Sequence, residues 1–390
     1  MSARVVVSFL VLILIAWPVR SEEAESTATV LCYHVVGSPD DGELSITREA
    51  FRQQMQYLAT TGYTVIPLAE VASYLEGRQK KLPANAVVIT VDDGYRSTYS
   101  EIFPVVKQHG FPFTAFIYPK WVGQSSNALT WDQVKEMADD NVDIQSHTLS
   151  HAYLTRRRGG YAGAYPNWVR LELEESKRII EQQTGRPVRF LAYPYGDYDS
   201  QVAAYASQSG YDAALTCDFG SVKKGSNLFR MKRVVIRKDT SFGEFRALLG
   251  NAPLKLQEQS PTVGSLFSEE VPVISARIPD YKRLDPTSVQ MAVLSLGRAP
   301  FSYDARDGSI SLIVRDTLKG RTQRAFVWGT ERGTGKRVEA TWTFYVAAEE
   351  PPAETLAQKR PPAASAVAAG VTDPKASEDD TRLVVRTRRR

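Results

Sequence analysis

Two adjacent aspartates at the end of an apolar run, and two histidines four residues apart farther along, are the residues of this sequence best suited to chemistry. The first group is Thr90-Val91-Asp92-Asp93-Gly94-Tyr95. Its apolar lead, Val87 to Val91, reads as a buried strand, and side chains at strand C-termini line the active sites of α/β barrels. The second group, Ser146-His147-Thr148-Leu149-Ser150-His151, holds half of the chain's four histidines. Were it helical, residues four apart would lie about 5–6 Å from one another on one face, close enough for two imidazoles to reach one ion. Taken singly, Asp-Asp-Gly is also an ordinary turn with a helix cap, and the histidines are also a surface pair at a helix start.

Taken together, one aspartate and two histidines make a three-ligand set that leaves room for water, which is the open coordination of a catalytic metal. Carboxylate plus imidazole, without a thiolate, favours zinc or another borderline divalent ion over calcium or magnesium. Cobalt or nickel could substitute. Such an ion polarises an amide carbonyl and acidifies water, and a neighbouring carboxylate accepts the water's proton. Asp92 and Asp93 can divide these two roles. A third group, Ala192-Tyr193-Pro194-Tyr195-Gly196, follows another apolar run. Its proline and glycine would hold a tight turn and aim a backbone N–H at a developing oxyanion, although the same turn can be purely structural.

The elements that must position these groups are legible as alternation. Apolar runs at Val30–Tyr33, Tyr63–Ile66, Val87–Val91, Phe113–Ile117, Val142–Gln145, Phe190–Tyr193, Ala213–Leu215 and Val234–Ile236 are separated by helix-like segments. That order predicts βα units and a largely parallel sheet. Phe51, Met55 and Leu58 recur at helical spacing after Thr47, with Gly62 where a C-terminal cap belongs; Thr130 opens a helix from Trp131, and Gly185 ends one that begins near Leu171. The predicted fold class is α/β, a distorted (β/α) barrel of seven or eight strands.

After about Ser260 the runs alternate with period two, at Val289–Leu294, Ser309–Val314, Arg324–Gly329 and Thr341–Val346, with turns at Asp307-Gly308 and Gly333-Thr334-Gly335. This predicts a small all-β sandwich, loosely immunoglobulin-like. The expected organisation is a signal peptide at 1–21, a barrel domain at 28–255, the β-sandwich at 260–349 and a disordered tail at 350–390, where Pro, Ala, Ser and charges dominate.

In that order, Asp92-Asp93-Gly94, His147 to His151 and Tyr193-Pro194-Tyr195-Gly196 resemble the motifs of the NodB-like polysaccharide deacetylases, carbohydrate esterase family 4. The likeness spans about Val30 to Ile236. It implies a metal-dependent hydrolase removing N-acetyl groups from a polysaccharide and releasing acetate. Asp92 would be the general base, Asp93, His147 and His151 the metal ligands, and the Tyr195 N–H an oxyanion donor. Two departures stand out. Ala192 occupies a place where the family often has an arginine that orients the base, and no histidine follows His151 to act as the late general acid. The branch acting on β-1,6-linked poly-N-acetylglucosamine is the nearest comparison, through Ala-Tyr-Pro-Tyr-Gly and the early Tyr33-His34. His34 would lie near the metal and assist substrate or proton handling, or be a structural histidine.

Export follows from the ends of the chain. Arg4, an apolar run from Val5 to Trp17 and a polar stretch from Arg20 form the layout of a secretory signal, with an uncleaved anchor as the alternative. A secreted, periplasmic or cell-envelope location is expected, with membrane or envelope contact through an uncleaved signal or the basic tail. The net charge of +4 is carried by these ends, leaving the body close to neutral, which argues against nucleic acid as a partner. Cys32 and Cys217 are the chain's two cysteines and are expected to be buried thiols rather than a bridge. The loop from Ala152 to Val169, with Arg156, Arg157, Arg158, Tyr161, Tyr165 and Trp168, is a candidate for stacking sugars or a solvated loop. Two rivals accompany the deacetylase reading: a catalytically weak glycan-binding protein, motivated by the two departures, and an amidohydrolase acting on a non-sugar amide.

Overall fold

The apolar runs form one curled sheet, because their side chains are buried on both faces beneath a layer of helices. The structure is a computed structural model and describes residues 26–37, 42–156, 165–249, 252–267, 273–297, 299–318, 322–335 and 337–346. The expected signal peptide and tail, and Arg157, Arg158 and Tyr161 of the candidate sugar loop, lie outside the described residues.

In chain order the first part contains β1 (Thr27–Tyr33), β2 (Val35–Gly37), β3 (Ser45–Thr47), α1 (Arg48–Thr60), β4 (Thr64–Val65), α2 (Leu68–Leu75), β5 (Ala86–Val91), α3 (Phe103–Gln108), β6 (Thr114–Ile117), α4 (Trp131–Asp139) and β7 (Asp143–Ser146). It continues with α5 (Tyr165–Thr184), β8 (Phe190–Ala192), α6 (Ser200–Gln208), β9 (Ala213–Leu215), β10 (Val222–Lys223), β11 (Val234–Val235) and α7 (Phe242–Leu249). The sheet runs β10-β1-β5-β6-β7-β8-β9, with β11 beside β1 and β4 beside β5. All its pairings are parallel except that of β1 with β10. The predicted α/β class is borne out, as a curled, mixed half-barrel.

The gap in this half-barrel is spanned by the segment before β11. Met231 bridges to Leu215 of β9, while Val234 and Val235 pair with Leu31 and Cys32 of β1. Arg233 therefore sits on a segment held on both sides, and its side chain is fully buried.

The helices begin where the sequence places their caps. Thr47 accepts the Ala50 N–H, and Thr130 and Gln133 form a reciprocal capping box at α4. Each satisfies N–H groups that the first helical turn leaves without intrahelical partners. Helix α5 starts at Tyr165, earlier than the expected Leu171, since Tyr165 is buried and its hydroxyl donates to the Leu154 carbonyl.

The second part comprises β12 (Ala252–Pro253), β13 (Gln257–Ser260), β14 (Leu266–Phe267), β15 (Val273–Arg277), β16 (Gln290–Val293), β17 (Phe301–Tyr303), β18 (Ser309–Ile313), β19 (Thr322–Thr330) and β20 (Arg337–Val346). They form two sheets, β12-β20-β19-β16 with β14 on β20, and β13-β15-β18-β17. Residues from both sheets share one core around Trp342, Phe344, Ile274 and Leu312. Strand pairing in this part starts at Ala252, inside the stretch that the sequence reading gave to the barrel.

Candidate active site

Asp92 and Asp93 follow β5, His147 follows β7 and Tyr195 follows β8, so the parallel sheet delivers all of them to one end. The backbone after β5 turns sharply: Asp93 has φ 74° and Gly94 φ 74°. This turn points the neighbouring carboxylates in different directions. A non-glycine residue in that left-handed region costs on the order of 1–3 kcal/mol and persists where its surroundings fix it.

Asp93 turns toward the histidines. Its Oδ1 lies 3.3 Å from Nε2 of His147 and 3.1 Å from Nε2 of His151. The two imidazole centroids are 4.8 Å apart. A helix through His147–His151, the condition under which the sequence brings the two rings together, is not what the structure contains. Thr148 (φ 63°) and His151 (φ 57°) are left-handed, and a turn replaces the helix. Buried Glu172 of α5 fixes this turn, accepting from the Ser150 N–H at 2.9 Å and the Ser150 hydroxyl at 2.6 Å, while its carbonyl takes the Leu149 N–H.

His147 Nδ1 donates to the Ala192 carbonyl at 2.7 Å, which orients Nε2 toward Asp93; in the neutral ring that nitrogen is a free ligand atom. Asp93 Oδ1 is buried and makes no hydrogen bond among the described residues. One ligand atom from each of Asp93, His147 and His151 falls within 4.8 Å of the others. A buried carboxylate oxygen facing two imidazole nitrogens fits a divalent cation. Burial opposes ionisation of Asp93, but the close imidazoles of His147 and His151 hold its carboxyl well below the usual carboxylate range.

Asp92 turns the other way, into the barrel, where it meets the guanidinium of Arg233. Nη1 donates to Oδ1 at 2.8 Å and Nη2 to Oδ2 at 2.7 Å. Arg233 is itself held by the Thr216 carbonyl (2.9 Å) and the Thr90 hydroxyl (3.2 Å). Burial works against the Asp92 charge, yet Arg233 first, then His147 and His34, keep its carboxyl below the ordinary value. The orienting arginine that the sequence reading found missing at Ala192 thus comes from the barrel-closing segment. Sequence reasoning passed over Arg233, which stands in the basic run Arg230-Met231-Lys232-Arg233 with nothing local to set it apart from its neighbours.

His34, just past β1, is buried and its Nδ1 has no hydrogen-bond partner among the described residues. A ring nitrogen of His34 and a carboxylate oxygen of Asp92 lie within 4.8 Å. Burial lowers its pKa more than the charges of Asp93 and Asp92 raise it. Cys32 donates its thiol to Asp92 Oδ2 at 3.5 Å, and Cys217 accepts from Arg233 at 3.9 Å; both are free thiols.

Tyr195 occupies the left-handed region (φ 61°, ψ 5°) on a turn in which the Tyr193 and Pro194 carbonyls take the next two N–H groups. The Tyr195 N–H has no acceptor among the described residues. The Tyr195 ring is exposed and stacks on Tyr153 with centroids 3.8 Å apart, 4.5 Å from His151. Arg156 lies 3.5 Å over the other ring, Tyr153, and Tyr118 stacks on Trp121 beyond His151. These rings, rather than buried Tyr165 or core-packed Trp168, form the aromatic rim.

A family model described as polysaccharide deacetylase matches residues 79–214. A Bacillus subtilis (strain 168) protein named as the polysaccharide deacetylase YxkH is 28% identical over 227 residues, 58% of this chain and 77% of that protein. The poly-beta-1,6-N-acetyl-D-glucosamine N-deacetylase of Escherichia coli (strain K12) is 26% identical over 57% of this chain, but the match spans only 37% of that longer protein. The solved structure of IcaB from Ammonifex degensii superposes with a TM-score of 0.52 at 25% identity, covering 57% of this chain and 97% of that one. Asp92, Asp93, His147, His151 and Tyr195 lie within the matched span of the family model, whereas His34 and Arg233 lie outside it.

Proposed function

The barrel of this chain belongs to the polysaccharide deacetylase family, hydrolases of carbon–nitrogen bonds, and from that premise we propose that the protein removes N-acetyl groups from poly-N-acetylglucosamine with the help of a zinc ion. The observation that carries this reading is the meeting of both imidazoles at Asp93 Oδ1, one residue from a carboxylate kept ionised by a buried guanidinium. Asp93, His147 and His151 would hold the metal, which when bound supplies Lewis acidity toward the acetyl carbonyl and the attacking water.

Asp92 is the general base. Its low pKa and fixed orientation keep it ready to take a proton throughout the neutral range. The Tyr195 N–H, left without an acceptor, donates to the oxyanion that forms as the carbonyl carbon becomes tetrahedral. His34 relays to the leaving amine the proton that Asp92 has taken from water, since one of its ring nitrogens lies within 4.8 Å of an Asp92 oxygen. A buried imidazole with a lowered pKa is a stronger acid once protonated, and its Nδ1 is uncommitted among the described residues. The exposed Tyr195–Tyr153 stack offers an apolar face beside the site on which a sugar ring can lie.

The binding-protein alternative loses one of its two motives, since Arg233 orients the base. Among the described residues no helix is long and apolar enough to cross a membrane. Export rests on the apolar run from Val5 to Trp17, and fractionation of the source cells checks it. The function is tested by acetate release from β-1,6- and β-1,4-linked N-acetylglucosamine oligomers with zinc-loaded protein, Asp92→Asn and chelator-treated samples. Release requiring both zinc and Asp92, and faster on the β-1,6 linkage, is expected. No release from metal-loaded protein on any acetylated glycan would sink the proposal.

A further inference from the structure

β20 is buried on both faces. Trp342, Phe344 and Val346 point into the core of the second part, which period-two alternation requires of one face. The residues between them, Thr341, Thr343 and Tyr345, would face water in a free-standing sandwich, yet they are 4%, 0% and 1% exposed. They are covered by the segments that carry the candidate active site.

The contacts are polar and converge on two places. The first is the turn of Tyr195. Arg324 of β19 donates from Nη2 to the Tyr195 carbonyl at 3.0 Å, and the Tyr345 hydroxyl accepts the Tyr198 N–H at 2.7 Å while donating to the Tyr198 carbonyl. The turn is packed so closely that a Cβ at Gly196 would lie 2.6 Å from Arg324 Nη2 and 2.8 Å from the Cys217 backbone nitrogen. The second place is Asp218. Its buried carboxylate accepts from the Thr343 and Tyr198 hydroxyls, and Arg324 Nε lies 3.8 Å away. The Asp218 carbonyl accepts the Arg233 N–H at 2.9 Å, and the adjoining Phe219 N–H donates to Thr341 at 2.7 Å. Arg233 in turn carries Asp92.

We propose that the barrel-facing side of β19 and β20 is a positioning element of the deacetylase site, in which Arg324, Thr343 and Tyr345 hold the Tyr195 turn and the Asp218 anchor of Arg233. It rests on the deacetylase reading above. Tyr195 is a non-glycine residue held left-handed on a three-residue turn whose own hydrogen bonds, Gly196 N–H to Tyr193 and Asp197 N–H to Pro194, leave the Tyr195 carbonyl and the Tyr198 peptide to be fixed from outside. A carbonyl fixed by a guanidinium on one side of the turn, and a residue clasped at both N–H and C=O on the other, supply that further restraint. Arg324 touches the Tyr195 carbonyl, Thr343 and Asp218 and no reacting atom, so its role is positional.

The test uses the full chain, loaded with zinc, with Arg324→Ala, Arg324→Lys and Tyr345→Phe. Acetate release from N-acetylglucosamine oligomers gives kcat and KM, thermal melts give the folded fraction, and hydrogen exchange reads the Tyr195 to Tyr198 amides. Displacing an oxyanion donor by about an ångström costs on the order of a hundredfold in rate, so Arg324→Ala is expected to lower kcat roughly ten- to a hundredfold with KM within about twofold. Arg324→Lys should recover part of that loss. Tyr345→Phe removes one hydroxyl and keeps the packing, so it should fold normally, speed exchange at Tyr198 and lower kcat. Wild-type kcat per folded molecule in Arg324→Ala and Tyr345→Phe, or unchanged exchange across the turn, overturns the inference. Absence of acetate release from wild type overturns the deacetylase reading instead, and the exchange measurement still decides whether these residues hold the turn.

Discussion

Replacing Arg233 by methionine removes the cation from a buried ion pair while keeping a side chain of similar length. Arg233 is 0% exposed and Asp92 1%, so neither charge is screened by solvent. Breaking such a pair strands the surviving charge and costs about 3–5 kcal/mol. For a cooperative unit of about 150–250 residues, the size class of the α/β part, that lowers Tm by roughly 6–20 °C. The pH dependence is more diagnostic than the size. In the wild type the Asp92 pKa is depressed, so its ionisation contributes stability that is present above the unfolded carboxylate value and is lost as pH falls through the lower folded value. Without Arg233, burial, the largest influence on Asp92, is opposed only by His147 and His34, and the folded pKa is expected to rise above the unfolded one. The sign then reverses: Arg233→Met loses stability as pH rises through the interval between the two values, and mild acid restores it. The acid limb of kcat/KM shifts upward with it, because the base is protonated over more of the working range. Melting curves and acetate-release profiles from pH 4 to 9 read both effects. An acid limb that stays in place in a folded, zinc-loaded Arg233→Met protein would refute the claim that this guanidinium sets the ionisation of the base.

Two further outcomes follow from the site. Asp93→Asn and His151→Gln should each weaken zinc binding by roughly a hundredfold or more, beyond the loss typical of altering an outer-shell partner; competition against a chelator measures it, and wild-type affinity in both would remove Asp93 and His151 from the ligand set. Tyr153→Ala takes away the ring on which Tyr195 stacks at 3.8 Å, a contact of about 0.5–1.5 kcal/mol, and should raise KM for oligomers roughly two- to tenfold with kcat little changed. An unchanged KM on the longer oligomers would leave the aromatic rim without a part in binding glycan.

What the sequence made legible is what local chemistry specifies. The adjacent carboxylates after the Val87–Val91 run are visible because they lie beside a strand whose burial is written in its own composition, whereas the two histidines stand out by their clustering, after a strand, Asp143–Ser146, with a single apolar residue. The histidine spacing was legible and its geometry was not. Four residues suit a helix, but Glu172, more than twenty positions on, binds Ser150 through N–H and hydroxyl and favours a turn instead. Arg233 was illegible for a related reason. It acts on Asp92 across 141 positions of chain from just before a two-residue strand, Val234–Val235, too short to carry a periodic signal.

The same limit explains why β20 reads in sequence as a common alternating strand. Period two tells which residues share a face, and Thr341, Thr343 and Tyr345 do share one; it does not tell what covers that face. Threonine suits a solvated sheet surface and a buried, hydrogen-bonded one equally well, because a hydroxyl satisfied by Asp218 or by the Phe219 N–H is no costlier to bury than one satisfied by water is to expose. Local sequence therefore specifies the groups that do chemistry, whereas their orientation depends on partners brought in by topology: Ala192 for His147, Arg233 for Asp92, Arg324 for the Tyr195 turn. The matched span of the family model ends at residue 214, and two of these three partners lie beyond it. A fragment cut at that boundary would keep Asp92, Asp93, His147, His151 and Tyr195 and lose the guanidiniums that aim two of them.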